Sequence, residues 1–294
     1  MIKYAKSNSL TNHSSGWLIA TADLWRYDIT KMDDKFTKSN FLRVGKEVLD
    51  FQMRNLYPVQ VLGEQNRINL IFLNHDRNFS TFLTIMDLVK HERVADIYTL
   101  SRSMFESIIS MGLLAKSIVA DDLNRYQEYQ FTEIHKTYTH LVRLGLQQLS
   151  GVNPSDANLV KQRSQEYINK YGRNLSTWTG YSLEDNVKLL DKNTPPTCNE
   201  KHFYEYLYCQ VYRKGSSATH ASFGGLSKGV EIETLKLPGA LTAQRFKANE
   251  AHLIFSCFHS ILVFLSSVRF MGFALQKTEI EDYIQDMSRN IISE

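Results

Sequence analysis

The chain has 294 residues, of which 43% are hydrophobic and 22% are charged, and these fractions are typical of a globular protein with a substantial core. The formal net charge of +3 at pH 7 is too small to indicate nucleic-acid binding by itself, so any basic patch has to be local. Three cysteines without a Cys-x-x-Cys pair argue against a disulfide framework and a zinc knuckle, and we expect a reducing, cytoplasmic setting.

The first 36 residues differ from the rest of the sequence. They contain Trp17 and Trp25 among polar residues, show no helical period and lack the apolar core of a secretory signal peptide. We interpret residues 1–36 as an N-terminal extension or docking arm. Residues 37–294 are interpreted as a single helical domain.

Helical periodicity is clearest over residues 68–89. Apolar residues and one histidine alternate there at intervals of four and three, which places them along one side of a helix. These residues are Ile68, Phe72, His75, Phe79, Phe82, Met86 and Val89. A second helix is predicted over residues 94–119, packed antiparallel to the first after a turn near residues 91–93. We expect His75 to be a hydrogen-bonded core residue.

Three further helices are predicted in the middle of the chain. The first begins at Asp121 or Asp122, since acidic residues suit a helix N-terminus, and runs to Leu149. The second covers residues 156–171 and is polar. The third is short, with Ser182 as its N-cap.

The C-terminal part combines one extended segment with two helices. Residues 230–237 alternate apolar and polar side chains like a strand, which predicts a hairpin arm or an extended loop. Residues 253–275 are long and apolar enough to span a bilayer, but His259, Arg269 and several serines favour a buried central helix. A short helix over residues 280–292 closes the chain, so the expected architecture is an all-α helical bundle outside any membrane.

One segment, residues 212–220, combines a phosphate ligand, two hydroxyl groups and an imidazole. Arg213 and His220 are seven positions apart, close to two helical turns, so they share a face with Ser216 and Ser217 if the segment is helical. Arginine binds phosphate and histidine transfers protons near neutral pH. The pair therefore has the minimal components of a metal-free ribonuclease.

The spacing of this pair is weak evidence taken alone. Arg245 and His252 are separated by the same six residues, and such matches arise by chance. The first pair differs because serines lie inside it and tyrosines precede it, while Gly215 and the serines are poor helix formers. The alternative interpretation is a capped helix break in which Arg213 and His220 bond backbone carbonyls.

Arg102 and Glu106 are one turn apart on the second predicted helix, at the edge of its apolar side. We expect this pair to orient the histidine or to line a cleft together with Arg213 and His220. The alternative is a structural salt bridge. The sequence has no spacing typical of metal ligands, no glycine-rich phosphate loop and no nucleophile elbow. We therefore expect neither a metal nor a cofactor.

Three separated segments resemble, in order and spacing, a widespread prokaryotic helical family of unknown function. The first is Leu-Ser-Arg-Ser-Met-Phe-Glu at residues 100–106, followed by Gly-Leu-Leu at 112–114. The second is Trp-Thr-Gly-Tyr-Ser-Leu at residues 178–183, and the third covers residues 212–222. The resemblance extends over roughly residues 60–275.

The third segment also resembles the HEPN superfamily, helical bundles in which an Arg-x(4–6)-His motif cleaves RNA without a metal, often across a dimer interface. This resemblance implies a HEPN-like core, to which the chain adds extra helices and the short hairpin expected from residues 230–237. Arg213 would be the phosphate-binding arginine and His220 the catalytic histidine. A polar residue, often Asn, commonly follows the HEPN arginine, whereas Lys214 stands here.

The resemblance implies a metal-independent endoribonuclease that acts as a toxin or antiviral defence effector. Its expected partners are an RNA substrate, a second copy of the chain and an operon-encoded partner or inhibitor. The residues expected to bind substrate or to support the catalytic pair are Tyr212, Lys214, Ser216, Ser217, Arg102 and Glu106. The alternative is a non-catalytic helical binding or regulatory module, in which Arg102, Glu106, Arg213 and His220 form a polar core network.

Overall fold

The computed structural model describes residues 36–57, 65–172, 177–194, 202–220, 230–236 and 242–293. The helices are α1 Lys38–Asn55, α2 Gln65–Lys90, α3 Val94–Ala115, α4 Asp122–Arg143, α5 Ala157–Tyr171, α6 Leu183–Asn193, α7 Phe203–Leu207, α8 Arg213–Thr219, α9 Glu250–Ala274 and α10 Thr278–Ser293. A π-helical turn, Tyr208–Tyr212, joins α7 to α8, and a 3-10 turn, Gln147–Ser150, follows α4. β1, Val230–Lys236, pairs antiparallel with β2, Thr242–Ala248. The predicted all-α bundle with one short hairpin is confirmed.

The helices α2 and α3 form an antiparallel pair, as predicted, because three residues connect them. Midway along the pair, Arg77 Nη2 donates to Ser103 Oγ at 3.3 Å. Three turns away, Arg67 Nη1 donates to the carbonyl of Leu114 at 2.7 Å. The residue number falls along α2 as it rises along α3, which is the pattern of antiparallel packing.

The buried side of α2 is rotated slightly from the predicted one. Its buried members are Ile68, Ile71, His75, Asn78, Phe82, Ile85 and Val89. Phe72, Phe79 and Met86 are only half-buried. The reason is that α2 packs against both α3 and α9, with α1 beside it, so the direction of burial is set by several helices together.

The centre of the bundle is α9, which is buried from Leu253 to Gly272 because α1, α2, α3 and α10 surround it. Within the described ranges it is the helix with the length and composition to cross a membrane, and 89% of its most apolar window is buried inside the protein. This burial accounts for its composition. Phe273 is already 48% exposed, so burial ends slightly before the predicted residue 275.

Two helices end earlier than predicted. α4 was expected to reach Leu149 but ends at Arg143, because Gly145 adopts a left-handed φ of 72°. The N–H of Leu146 bonds the carbonyl of Leu141 at 2.8 Å, which completes a Schellman motif. α3 ends at Ala115, where Ser117 adopts a positive φ of 49°.

Of two further predictions, one concerns described residues and the other concerns residues that are mostly outside the described ranges. Ser182 caps α6, its Oγ accepting from the N–H of Asp185 at 3.1 Å, as predicted. The predicted N-terminal arm, residues 1–36, lies outside the described residues except for Phe36. That ring is buried against Phe258, with 5.9 Å between ring centroids.

His75 is a hydrogen-bonded core residue, as predicted. Its Nδ1 lies 2.9 Å from Ser267 Oγ, which also accepts from Asn78 Nδ2 at 3.0 Å. His75 Nε2 has no hydrogen-bond partner. Burial lowers the pKa of His75 to about 4, so the imidazole is neutral in the folded protein at neutral pH.

The close approach of α3 to α9 generates a first prediction. A Cβ on Gly112 would lie 2.6 Å from Phe270 Cζ and 2.9 Å from Leu190 Cδ1. We expect Gly112→Ala to lower the free energy of unfolding by about 1–3 kcal/mol, because overpacking outweighs the better helix propensity of alanine. Urea denaturation followed by circular dichroism measures this.

The matched control is Gly45→Ala on α1. There the nearest atom to an added Cβ is the flexible end of Met86, at 3.1 Å, so this variant should be as stable as the wild type or slightly more stable. Equal stabilities of both variants would contradict the tight α3–α9 contact.

The buried imidazole generates a second prediction. Because the folded-state pKa of His75, about 4, lies below the unfolded value of about 6.5, the unfolded state binds the proton more readily. The contribution of His75 therefore lowers the free energy of unfolding as pH falls from about 6.5 towards 4. The decrease is about 1.4 kcal/mol per pH unit.

We expect His75→Gln to lose less stability than the wild type between pH 7 and pH 5, as measured by urea denaturation at each pH. Other titrating groups, such as Asp191 and His259, are common to both proteins, so the difference between the two slopes reports His75. If the free energy of unfolding fell equally with pH in both proteins, His75 would be protonated equally in the folded and unfolded states.

Candidate functional site

The segment predicted to carry the site is one continuous helical stretch with a π turn in its middle. α7 leads into the π turn Tyr208–Tyr212, and α8 begins directly afterwards. The N–H of Arg213 bonds the carbonyl of Tyr208, a five-residue spacing instead of the usual four. Such π turns are rare and are frequent at functional sites.

Arg213 and His220 lie at the two ends of α8 and are both exposed. The Arg213 side chain is 65% exposed. His220 caps the C-terminal end of the helix, and its N–H bonds the carbonyl of Ser216 at 3.0 Å. Seven helical residues return to nearly the same side after about 10 Å of axial rise. The two side chains therefore start from one face, with the half-buried Ser216 and Ser217 between them.

The second match to the same spacing has no shared face. Arg245 lies on β2, whereas His252 lies on α9. The His252 Nδ1 is 3.2 Å from the hydroxyl of Tyr98. Identical spacing therefore produces a common helical face only for Arg213 and His220.

The π turn assembles a stack of planar side chains next to Arg213. The Arg213 guanidinium carbon lies 5.5 Å from the centroid of the Tyr208 ring. The Tyr208 ring stacks on Tyr212 at 5.2 Å with an interplanar angle of 13°. The Arg102 guanidinium carbon lies 4.8 Å from the centroid of the Tyr212 ring. We call these four residues the arginine–tyrosine stack.

The stack depends on the π turn. In an α-helix, residues five apart diverge by about 140°, so Tyr208 and Arg213 would point in different directions. The wider π turn brings them together. Sequence analysis identified Tyr212 but missed the role of Tyr208, because helical spacing was assumed to be regular.

Arg102 is held against the candidate segment from α3. A Cβ on Gly215 would lie 2.7 Å from Arg102 Cβ and 2.6 Å from the carbonyl oxygen of Tyr98. Gly215 therefore lets α8 lie directly on α3. Arg102 Nε donates to Glu106 Oε1 at 3.1 Å, and their side chains are 19% and 46% exposed.

The four residues considered for a polar core network do not form one. Arg102 bonds Glu106 on α3. Arg213 turns towards α6, where its Nη2 lies 4.0 Å from Glu184 Oε2. Arg213 and His220 are exposed, so their polar groups are in contact with solvent.

Lys214 departs from its expected position. Its ammonium nitrogen lies 3.6 Å from the centroid of the Phe255 ring on α9. The adjacent helical position is rotated by about 100° from Arg213, which turns Lys214 to the inner side of α8. Lys214 thus contacts Phe255 on α9, and its expected support of a phosphate beside Arg213 stays a prediction.

A buried histidine, His259, contacts α7 from behind. The sequence analysis did not place it next to the segment that carries Arg213 and His220. His259 Nδ1 lies 2.7 Å from the carbonyl oxygen of Phe255, and its Nε2 lies 2.8 Å from the hydroxyl of Tyr206. A carbonyl only accepts, so Nδ1 carries the proton and Tyr206 donates to Nε2. Burial lowers the pKa of His259 to about 3. The neutral imidazole thus anchors α7 to α9.

One group among the described residues has side chains close enough to hold a metal ion. The ligand atoms of Asp191, His202 and Glu205 lie within 4.8 Å of one another. Asp191 accepts the N–H groups of Tyr204 and Glu205 at 3.0 and 2.8 Å, and His202 Nδ1 lies 2.8 Å from Glu205 Oε1. Burial raises the pKa of Asp191 to about 6. These hydrogen bonds cap α7 and account for the cluster without an ion.

A family model described as a family of unknown function (DUF5677) matches residues 69–234, more than half of the chain. The chain belongs to this family. The result confirms the resemblance to a helical family of unknown function, and all three segments that carry the resemblance lie within the matched residues. No curated protein and no solved structure shows significant similarity to the chain.

The contact between α8 and α3 generates a third prediction. Gly215→Ala places a methyl group against the Tyr98 backbone oxygen, which cannot move as a flexible side chain would. We expect the free energy of unfolding to fall by about 1–3 kcal/mol, measured by urea denaturation. Ser216→Ala on the same helix is the control and should change stability by less than about 0.5 kcal/mol. A Gly215→Ala variant with the stability of the wild type would show that α8 packs less tightly against α3.

Proposed function

We propose that this DUF5677 protein is a HEPN-like, metal-independent endoribonuclease that acts in the cytoplasm as a toxin or antiviral defence effector. The observation that carries the proposal is the exposure of Arg213 and His220 on one face of α8. An arginine and a histidine placed in this way are available to a phosphodiester, whereas buried side chains would not be.

The reaction is an internal transesterification. A base removes the proton of the RNA 2′-hydroxyl, and the 2′-oxygen forms a bond to the adjacent phosphorus. The bond from phosphorus to the 5′-oxygen breaks, and an acid protonates that oxygen. The products are a 2′,3′-cyclic phosphate and a 5′-hydroxyl. His220 acts as the base or the acid, and Arg213 offsets the negative charge that develops on the phosphorane oxygens.

A homodimer supplies the second proton-transfer group. One imidazole takes up the proton from the 2′-hydroxyl, and a different group protonates the leaving oxygen in the same step. A two-fold axis near α8 brings a second Arg213–His220 pair to the first. An operon-encoded partner that covers this face would act as the inhibitor.

The alternative function is a non-catalytic binding or regulatory module. Both arginines of the stack have a carboxylate nearby: Arg102 bonds Glu106 at 3.1 Å, and Arg213 lies 4.0 Å from Glu184. The face is thus nearly balanced in charge, which suits a protein or small-molecule ligand as well as RNA.

A fourth prediction tests the proposal with purified protein, labelled RNA and EDTA. We expect wild-type protein to cleave RNA in EDTA and to slow growth when expressed without a partner. His220→Ala should abolish cleavage, because the described residues from α7 to the end of α8 contain no other imidazole to transfer the proton. Arg213→Ala should reduce the rate about 10²- to 10³-fold, as is typical when one charge-stabilising donor is lost.

The matched controls are Arg143→Ala and His140→Ala on α4. These residues are exposed and lie 3.1 Å apart, so they provide an arginine–histidine pair outside the site, and both variants should cleave like the wild type. Cleavage that stops in EDTA would refute the metal-free mechanism and direct attention to Asp191, His202 and Glu205. Wild-type protein that neither cleaves RNA nor affects growth would support the binding module instead.

A further inference from the structure

The arginine–tyrosine stack has one closed end and one open end. At the closed end, Arg102 is only 19% exposed, is bonded to Glu106 and lies under α8. At the open end, Arg213 is 65% exposed. Its guanidinium carbon lies 5.5 Å from the centroid of the Tyr208 ring, and most of the Arg213 side chain is in contact with solvent. Among the described residues, this exposure leaves room for a further planar group at the open end.

The chemistry of a guanidinium plane selects the group that extends the stack. Unpaired bases of RNA stack on aromatic rings and on arginine planes, whereas bases inside a duplex are covered by their neighbours. The N–H groups at the edge of the same guanidinium donate to phosphate. Arg213 thus offers a stacking surface and a phosphate ligand in one side chain.

We propose that the open end of the arginine–tyrosine stack binds an unpaired base of single-stranded RNA. The base stacks on Arg213, and the strand continues along α8 towards Ser216, Ser217 and His220. This assignment takes RNA as the ligand from the proposed function, but it concerns binding and does not require cleavage.

The charged side chains around the stack are mostly paired with one another, so the site differs from a basic patch that binds RNA through many phosphates. Lys188 Nζ donates to Glu184 Oε1 at 2.8 Å, and Arg102 bonds Glu106. Arg213 has the looser contact, 4.0 Å from Glu184, and is the cation best placed to exchange a carboxylate for a phosphate. Few phosphates are neutralised, so binding depends on stacking and falls only gently with salt. Glu184 competes with the phosphate for Arg213.

The test measures fluorescence anisotropy of a labelled 2′-O-methyl oligonucleotide, which lacks the attacking hydroxyl and cannot be cleaved. We expect the single strand to bind and its duplex with a complementary strand to bind at least about tenfold more weakly. Tyr208→Leu should weaken binding of the single strand about tenfold or more, since the Arg213 plane loses its support. Glu184→Gln should tighten it, because the competing charge is removed.

The control is Tyr171→Leu. The Tyr171 ring lies 4.8 Å from the Arg125 guanidinium carbon and 4.7 Å from the Lys170 ammonium, so it reproduces the same chemistry away from α8 and its loss should leave binding unchanged. Circular dichroism checks that each variant folds. If Tyr208→Leu does not fold, Arg213→Gln replaces it, because that exposed side chain is removed without disturbing the core and should weaken binding equally.

The outcomes separate this inference from the proposed nuclease. Wild-type binding that depends on Tyr208 and Arg213, together with no cleavage of ordinary RNA, supports the stacking site and overturns the nuclease. Cleavage that proceeds while Tyr208→Leu binds like the wild type supports the nuclease and overturns the stacking site. Equal binding of single strand and duplex, or no binding at all, also overturns the stacking site.

Discussion

Close packing of α3 against two other helices is the constraint on which the rest of the structure depends. On one side α3 meets α9 at Gly112, where an added Cβ would lie 2.6 Å from Phe270. On another side it meets α8 at Gly215, where the same atom would lie 2.6 Å from the Tyr98 carbonyl. Both contacts require the absence of a side chain. The core and the candidate site therefore share one supporting helix.

The π turn converts this support into a particular arrangement of surface groups. Gly215 holds the segment against α3 on one side, and the hydrogen bond from Tyr206 to His259 holds it against α9 on the other. Between these anchors the wider turn places Arg213 over Tyr208. A π turn is less stable than an α-helical one and persists where packing holds it. The arginine–tyrosine stack is thus a product of the helices behind it.

Two neutral histidines in the core also hold helices together. His75 and His259 are both buried, and burial lowers the pKa of each to about 4 and about 3, respectively. Neither can serve as a proton-transfer group at neutral pH, because each lacks access to solvent and strongly disfavours the charged form. His220, by contrast, is in contact with solvent. Burial therefore excludes His75 and His259 as the catalytic histidine.

The sequence by itself determined the helices and the shared face of Arg213 and His220, because helical periodicity and caps such as Ser182 act within a few residues. The end of α4 is also encoded locally, at Gly145. Only the tertiary structure decided that Lys214 turns to Phe255, that Arg102 meets Tyr212, and that the helix widens before Arg213. These features arise from contacts between α8, α3 and α9, whose residues are far apart in the chain, and no local pattern records which side chains such contacts bring together.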